Sequence, residues 1–226
     1  MKKLIDGFEH IRYYPLSFTD QEISERAQSF YQLLDKRRSI RSFSDKPVEK
    51  QVITSIIKTA ATAPSGANKQ PWSFCAVSNP DIKIAIRVAA EEEEKKNYTQ
   101  RMSETWLKDL EPFATNWQKP FLETAPWLIV VFKKTYELDD SRQQHKNYYV
   151  NESVGIACGI LITAIHNAGL VTLTHTPSPM NFLARILERP TNEKPFLLLP
   201  VGFPDQDTYV PNIKRKSEKE ILNYYE

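Results

Sequence analysis

The sequence predicts one domain in which helices pack on a β-sheet and which pairs with a second copy of itself. Two segments, residues 19–34 and 49–63, repeat apolar side chains at the spacing of an amphipathic helix. Short apolar runs with the composition of strands supply the sheet, at residues 72–77, 127–132 and 196–201. Segment 147–169 is apolar on almost every side, which is typical of a helix buried all round. In a chain of 226 residues, a dimer interface explains such a helix.

The composition is that of an ordinary globular protein. Hydrophobic residues make up 41% of the chain and the net charge is only +2, so nothing favours binding to nucleic acid or to an acidic membrane. No signal peptide follows Lys3, and the most apolar stretch, 154–165, is shorter than the ~20 residues that span a bilayer. We therefore expect a cytoplasmic protein. Cys75 and Cys158 lie in apolar runs and are expected to be reduced, with a single disulfide between them as the alternative.

The N-terminal half predicts an arm followed by helices and one strand. Residues 1–18 have no clear period and carry several aromatic side chains, which suggests an extended arm. Thr19 and Glu22 have the spacing of a capping box that opens the first helix. Asn79 begins a long, charged helical stretch that reaches residue 119, in which Trp106 is expected to rest on a core.

The C-terminal half predicts alternating strands and helices. Residues 133–146 are polar and loop-like, and a strand at 170–176 follows the apolar helix. After a short helix at 182–187 comes the last strand, whose continuous apolar run predicts a central place in the sheet. Residues 203–226 form a polar tail, and we see no repeat or domain boundary.

A basic cluster at 37–41, RRSIR, has two interpretations. It is either a solvated helix end or a phosphate clamp, because the planar guanidinium group matches phosphate oxygens with two parallel hydrogen bonds. No glycine-rich phosphate loop occurs in the chain, so side chains would have to hold any nucleotide. The stretch 60–72, AATAPSGANKQPW, is rich in residues that break helices and form turns. It is either an ordinary surface loop or a place where the backbone at Ser65 and Gly66 approaches a ligand closely.

The acidic run Glu91–Glu94 also has two interpretations. Such a run is usually a solvated face, but Glu94 and Tyr98 are four residues apart and share one side of a helix. With Lys119 they could bind the ammonium and carboxylate groups of an amino acid.

Thr172, Thr174 and Thr176 lie on one side of the predicted strand. They are either ordinary β-branched residues at the edge of a strand or a row of hydroxyls that faces a polar ring system. The four histidines have no metal-binding spacing, and His175 is expected to be structural. No nucleophile motif is present, so a bound cofactor would have to supply any redox or transfer chemistry.

Several motifs together resemble the nitroreductase-like flavoproteins: RRSIR at 37–41, TAPSGANKQPW at 62–72, LLLPVG at 197–202 and KRK at 214–216. Within that family, EEEEKKNY at 91–98, TNWQK at 115–119 and ETAP at 123–126 are similar to the iodotyrosine deiodinases. The resemblance extends from about residue 34 to about residue 216. It implies an α+β fold with a central, mostly antiparallel sheet flanked by helices, in a domain-swapped homodimer with two FMN sites at its interface.

The resemblance also implies the organisation of the chain. Residues 1–226 would form a single FMN domain with an N-terminal arm at 1–18, a substrate lid at 91–119 and a C-terminal extension at 203–226. The animal members carry a membrane anchor before this domain, and its absence here indicates a soluble, bacterial form.

The resemblance further implies roles for individual residues. The FMN-binding set would comprise Arg37, Arg38, Ser39, Ile40, Arg41, Ser65, Gly66, Thr174, His175, Thr176 and Arg215. The Thr176 hydroxyl would reach N5 of the flavin and take part in catalysis. The substrate-binding set would comprise Ala67, Glu94, Tyr98 and Lys119, with no metal ion.

The activity that the resemblance implies is FMN-dependent reductive dehalogenation of iodo-, bromo- and chlorotyrosine, with a reductase or NAD(P)H as the electron donor. One alternative is a general nitroreductase that oxidises NAD(P)H directly. The other is a flavoprotein that binds halotyrosine without turnover.

Overall fold

The computed structural model describes residues 1–226, which divide into two compact units, Met1–Arg37 and Arg38–Glu226. The first unit contains an antiparallel hairpin of β1 (Lys2–Ile5) and β2 (Phe8–Ile11), followed by helix α1 (Asp20–Asp35). The predicted extended arm is therefore partly wrong, because residues 2–11 form this hairpin. Asp6 and Gly7 turn it with φ of 49° and 84°, and an Asp-Gly pair is the sequence signal for such a turn.

Helix α1 begins as the sequence predicts. The Thr19 hydroxyl accepts the backbone N–H of Glu22 at 3.3 Å, and the Glu22 carboxylate accepts the backbone N–H of Thr19 at 2.8 Å. The capping box is thus confirmed. None of the residues of α1 is buried, and Ile23 and Phe30 expose about half of their surface, at 54% and 52%.

The second unit is built on a four-stranded antiparallel sheet with the order β3-β4-β8-β7. Its strands are β3 (Trp72–Val77), β4 (Trp127–Lys134), β7 (Val171–Thr172) and β8 (Glu193–Gly202). Strand β8 lies inside the sheet, which confirms the central place that its apolar run predicts. The sheet is wholly antiparallel, and the α+β fold is confirmed.

Helices cover both faces of this sheet. Along β4, alternate residues such as Ile129 and Leu128 point to opposite sides, as the two-residue period of a strand requires. One side packs against α2 (Lys50–Ala60) and α6 (Val150–Asn167). The other side packs against α3 (Pro80–Lys96), α5 (Phe121–Thr124) and α7 (Asn181–Ile186).

Segment 97–119 is less regular than the sequence predicts. After α3 the chain makes a π-helical turn at Asn97–Arg101, then forms α4 (Glu104–Leu110) and a 3-10 turn at Glu111–Phe113. Trp106 is 55% exposed rather than packed on a core. The long helix is interrupted because the backbone N–H of Met102 bonds five residues back, to the carbonyl of Asn97.

Two other predictions need correction. Residues 133–146 are not a loop, because β4 extends to Lys134 and a hairpin follows, with β5 (Tyr136–Leu138) and β6 (Gln144–Lys146). The strand predicted at 170–176 pairs regularly only at Val171–Thr172, and an isolated bridge joins His175 to Leu198.

The all-round burial predicted for helix α6 included a face covered by a second copy, and in the single chain one face is indeed uncovered. Gly155 and Gly159 face open space, and Ile156 is 46% exposed. Beyond the sheet, a last short helix, α8, spans Glu218–Ile221. None of the helices combines the length and the apolar character that crossing a bilayer requires.

Candidate active site

A cavity of about 440 Å³ opens beside the end of β7, between the segment after α3 and the strand-like residues 173–176. Polar and charged side chains that the sequence predicts at a site converge here: Arg41, Glu94, Tyr98, Lys119, Thr174, His175 and Thr176. Aromatic and apolar residues, including Trp106 and Phe121, complete the wall. A concave site of this size with convergent polar groups suits a small ligand.

An ion pair forms the charged wall of the cavity. The Lys119 ammonium lies 3.3 Å from the Glu94 carboxylate, and the two residues are only 4% and 7% exposed. Glu94 is placed by α3, while Lys119 comes from the irregular segment that precedes α5. The acidic run is therefore not simply a solvated face, because its last member is buried at the cavity.

Further contacts hold Lys119 in place. Its backbone N–H donates to the Glu91 carboxylate at 2.7 Å, and its ammonium donates to the Asn116 carbonyl and, at 3.4 Å, to the Thr115 hydroxyl. Burial lowers the pKa of Lys119, and the attraction of Glu94 only partly opposes that shift. A second acid of the run, Glu91, thus positions the cation that Glu94 pairs with.

Tyr98 lies one helical turn beyond Glu94, on the same side. The Lys119 ammonium is 5.4 Å from the centroid of its ring, within the range of a cation–π contact. Burial raises the pKa of the Tyr98 phenol, and the neighbouring Glu94 carboxylate adds to this. The phenol is therefore a neutral hydrogen-bond donor at ordinary pH.

The opposite wall is the segment 173–176. His175 is fixed by the sheet, since its N–H donates to the Leu198 carbonyl at 2.9 Å and its carbonyl accepts the Leu198 N–H at 3.1 Å. Its ring meets Phe121 edge-on, with centroids 5.8 Å apart, and the ring atom Nε2 is buried without a hydrogen-bond partner. Burial, with smaller contributions from Lys119 and Arg41, lowers the pKa of His175 to about 3. On either side of this neutral imidazole, the exposed Thr174 and Thr176 border the cavity.

Arg41 reaches the same cavity from a segment that runs beside β7. Ser39 forms a parallel bridge with Thr172, the Ile40 N–H donates to the Thr172 carbonyl at 3.1 Å, and Ile40 itself is buried in the core. The Arg41 guanidinium lies 5.7 Å from the Phe113 ring, and burial lowers its pKa. Arg41 also borders a second cavity of about 340 Å³, between Arg87 and Gln118.

Other predicted site residues do not line this cavity. Arg37 ends the first unit, and Arg38 donates to the carbonyl of Pro211 in the C-terminal extension. The loop residues Ser65, Gly66 and Ala67 do not line the cavity of their own chain, and neither do Ser39 and Arg215. A Cβ atom on Gly66 would come within 2.9 Å of the Tyr149 ring, so the start of α6 accounts for a small residue here.

Sequence reasoning missed Asn97, Arg101 and Ser178, which also line the cavity. The signal for two of them was present: Glu93, Asn97 and Arg101 follow one another at four-residue intervals, the spacing of side-chain neighbours on a helix. Ser178 gave no such signal, because it contributes its backbone carbonyl.

Comparison with known proteins places these features in a wider group. The sequence pattern of the Nitroreductase family matches residues 34–203. An iodotyrosine deiodinase of Haliscomenobacter hydrossis is 55% identical over 95% of this chain and 97% of that relative, and one of Danio rerio is 47% identical over 96% of this chain and 74% of that relative. A crystal structure of oxidised iodotyrosine deiodinase bound to FMN and 3-iodo-L-tyrosine is similar with a TM-score of 0.74 and 30% identity, covering 87% of this chain and 99% of that chain.

Proposed function

This chain belongs to the Nitroreductase family and, within it, to the iodotyrosine deiodinases, and we propose that it acts as these relatives are named. The protein is an FMN-dependent oxidoreductase that removes iodide reductively from 3-iodo-L-tyrosine and yields tyrosine. The net change is the addition of two electrons and a proton to the aryl carbon, with cleavage of the carbon–iodine bond and release of iodide. Reduced FMN supplies the two electrons when it is bound.

The residues at the cavity fit a flavin. Arg41, Thr174 and Thr176 offer donors for the oxygen and nitrogen atoms of its ring, and the unpartnered Nε2 of His175 marks a buried place for a polar contact. We propose that these residues hold the ring, with the Thr176 hydroxyl at N5. By their motif, Arg38 and Ser39 would bind the ribityl phosphate, and Arg37 and Arg215 would join them.

The observation that carries the substrate assignment is the buried pair of Glu94 and Lys119 beside Tyr98. A free amino acid brings one ammonium and one carboxylate, so it can exchange partners with this pair and keep the buried charges balanced. Glu94 would take the ammonium, while Lys119 and Tyr98 would take the carboxylate. An isolated phenol has neither group, which explains selectivity for a halogenated amino acid over a halogenated phenol.

We extend the proposal to bromo- and chlorotyrosine. The three clamp residues recognise the charged end of the molecule, which all halotyrosines share, and none of them is assigned to the halogen. The Ala67 N–H would bind the phenolate oxygen. Residues 91–119 would act as a lid that excludes water from the stacked phenol and flavin.

A homodimer completes this proposal. The outer face of α6, with Gly155, Ile156 and Gly159, and the apolar side chains of α1 are left uncovered in the single chain. Gly66 packs at the N-terminal end of α6, so pairing through α6 would bring the loop 65–67 to the interface. The loop would then serve a site that its own chain does not complete.

Anaerobic titration tests the function. The protein is reduced with dithionite and titrated with 3-iodo-L-tyrosine while flavin absorbance and released iodide are followed. Stoichiometric reoxidation with one iodide per flavin is expected, and bromo- and chlorotyrosine should also reoxidise the flavin. Absence of turnover with every halotyrosine would overturn the proposal, and rapid NAD(P)H oxidation in their absence would instead indicate a general nitroreductase.

A further inference from the structure

We propose that Glu93, Asn97 and Arg101, together with the backbone carbonyl of Ser178, form a ladder that holds the substrate clamp in its binding geometry. In this proposal Arg101 is a positioning residue that sets the affinity for the zwitterionic end of the substrate. The inference rests on the proposed function for its ligand, but the ladder itself is defined by contacts in the chain.

The contacts of the ladder form a continuous network. One guanidinium nitrogen of Arg101 donates to the Glu93 carboxylate at 2.8 Å, to the Asn97 side-chain oxygen at 3.1 Å and to the Ser178 carbonyl at 3.2 Å. The Asn97 amide nitrogen donates to the same carbonyl at 3.1 Å. Two donors from one helical segment therefore meet a single acceptor that is 77 residues or more away along the chain.

The ladder joins the two walls of the cavity. Glu94 and Tyr98 directly follow Glu93 and Asn97, so the backbone that carries the clamp also carries the ladder. Ser178 lies two residues beyond Thr176 on the opposite wall. Because the π-helical turn Asn97–Arg101 continues the C-terminal end of α3, these hydrogen bonds tie that end of the helix to Ser178.

The burial of the members argues for more than a surface ion pair. Asn97 is only 9% exposed, and the Glu93 side chain is 19% exposed. Hydrogen bonds from Arg101 and Lys96 to the Glu93 carboxylate lower its pKa. The Arg101 side chain is 45% exposed, so its replacement should not disturb the core.

The test compares Arg101→Met with Lys96→Met. Both variants remove a cation that contacts Glu93, but Lys96 bonds to that carboxylate at 3.0 Å without reaching Ser178, whereas Arg101 bonds to both. Quenching of flavin fluorescence in the oxidised holoenzyme gives the Kd for 3-iodo-L-tyrosine and for 2-iodophenol. We expect Arg101→Met to weaken iodotyrosine binding about tenfold, because the ligand must then order a clamp that Arg101 no longer holds in place, and to leave iodophenol and FMN binding unchanged.

The control and a second measurement make the outcome decisive. Lys96→Met should change the iodotyrosine Kd by less than about twofold, as exposed pairs do. An unchanged Kd in Arg101→Met, or equal losses for iodotyrosine and iodophenol, would overturn the positioning role. If the parent protein binds no halotyrosine, the proposed function fails, and the ladder is then judged by amide hydrogen exchange. Faster exchange of residues 97–101 in ligand-free Arg101→Met than in Lys96→Met supports it, and equal exchange rates refute it.

Discussion

The ammonium of Lys119 and the carboxylate of Glu94 lie 3.3 Å apart, and each residue is more than nine-tenths buried. Two opposite charges in such a place neutralise one another in the ligand-free cavity. A zwitterion brings one charge of each sign, so it can exchange partners with the pair and leave no buried charge unpaired. This pair is the basis of the first two predictions.

Replacing Glu94 by Gln should weaken halotyrosine binding by at least about thirtyfold, because loss of one partner of a buried charge pair costs at least about 2 kcal/mol. FMN should stay bound, since Glu94 is not assigned to the flavin. Fluorescence titration of the oxidised holoenzyme measures the halotyrosine Kd. Flavin absorbance after gel filtration measures how much FMN stays bound.

Glu92→Gln is the matched control for this change. Glu92 belongs to the same acidic run but is exposed and does not line the cavity. Its replacement should leave the halotyrosine Kd unchanged within about twofold. Equal affinities in the two variants would remove the clamp from the proposal.

Removing both charges should destabilise the protein less than the two single changes together. Glu94→Gln leaves a buried ammonium without its carboxylate, and Lys119→Met leaves a buried carboxylate without its ammonium. Each single variant should lower the free energy of unfolding by about 3 kcal/mol. The double variant should lose clearly less than their sum, as urea denaturation can measure; strict additivity would show that the two groups are not energetically coupled.

His175 should make the protein lose stability in acid. Its pKa is about 3 in the folded chain against an ordinary value of 6.5, so between these values the unfolded chain binds a proton that the folded chain does not. The contribution is therefore full above about pH 6.5 and is lost as pH falls towards 3, by an amount on the order of 5 kcal/mol. Denaturation of His175→Gln across this range should give a shallower slope than the parent.

The exposed His10 provides the comparison for that experiment. His10→Gln should retain the parent slope, because His10 is exposed and its replacement leaves the buried imidazole of His175 in place. If His175→Gln and His10→Gln have the same dependence on pH, burial of the neutral imidazole does not govern acid stability.

Local patterns predicted most of the fold. The strand at 72–77 and the N-terminal cap at Thr19 match the structure, because both depend on residues close together in sequence. The strand at 170–176 did not, since its pairing depends on a partner strand and on the bridge between His175 and Leu198. The sequence could not tell which face of helix α6 packs on the sheet and which is left open for another chain, because apolar residues occupy almost every side.

The cavity was predicted in part. Glu94 and Tyr98 could be placed together because they are four residues apart on a helix, and Lys119 was grouped with them as an ammonium from the same stretch. The roles of Glu91 and Ser178 could not be predicted, since they depend on contacts between distant segments and, for Ser178, on a backbone atom. The sequence predicted that the backbone at Gly66 approaches a ligand closely. Within the chain, the group nearest to an added Cβ at this position is the Tyr149 ring.

The last prediction concerns this approach. An added Cβ in Gly66→Ala would lie 2.9 Å from Cδ2 of Tyr149 and 3.4 Å from both Cβ and the carbonyl of Tyr148. The Tyr149 ring is 72% exposed and can move, so the cost should be moderate, about 1–2 kcal/mol with a Tm lower by about 2–8 °C. In a Tyr149→Ala background the nearest clash is gone, and the Gly66→Ala change should then cost less than about 0.5 kcal/mol. Thermal unfolding of the four proteins of this double-mutant cycle measures the coupling, and an equal loss in both backgrounds would mean that the glycine is required by something other than Tyr149.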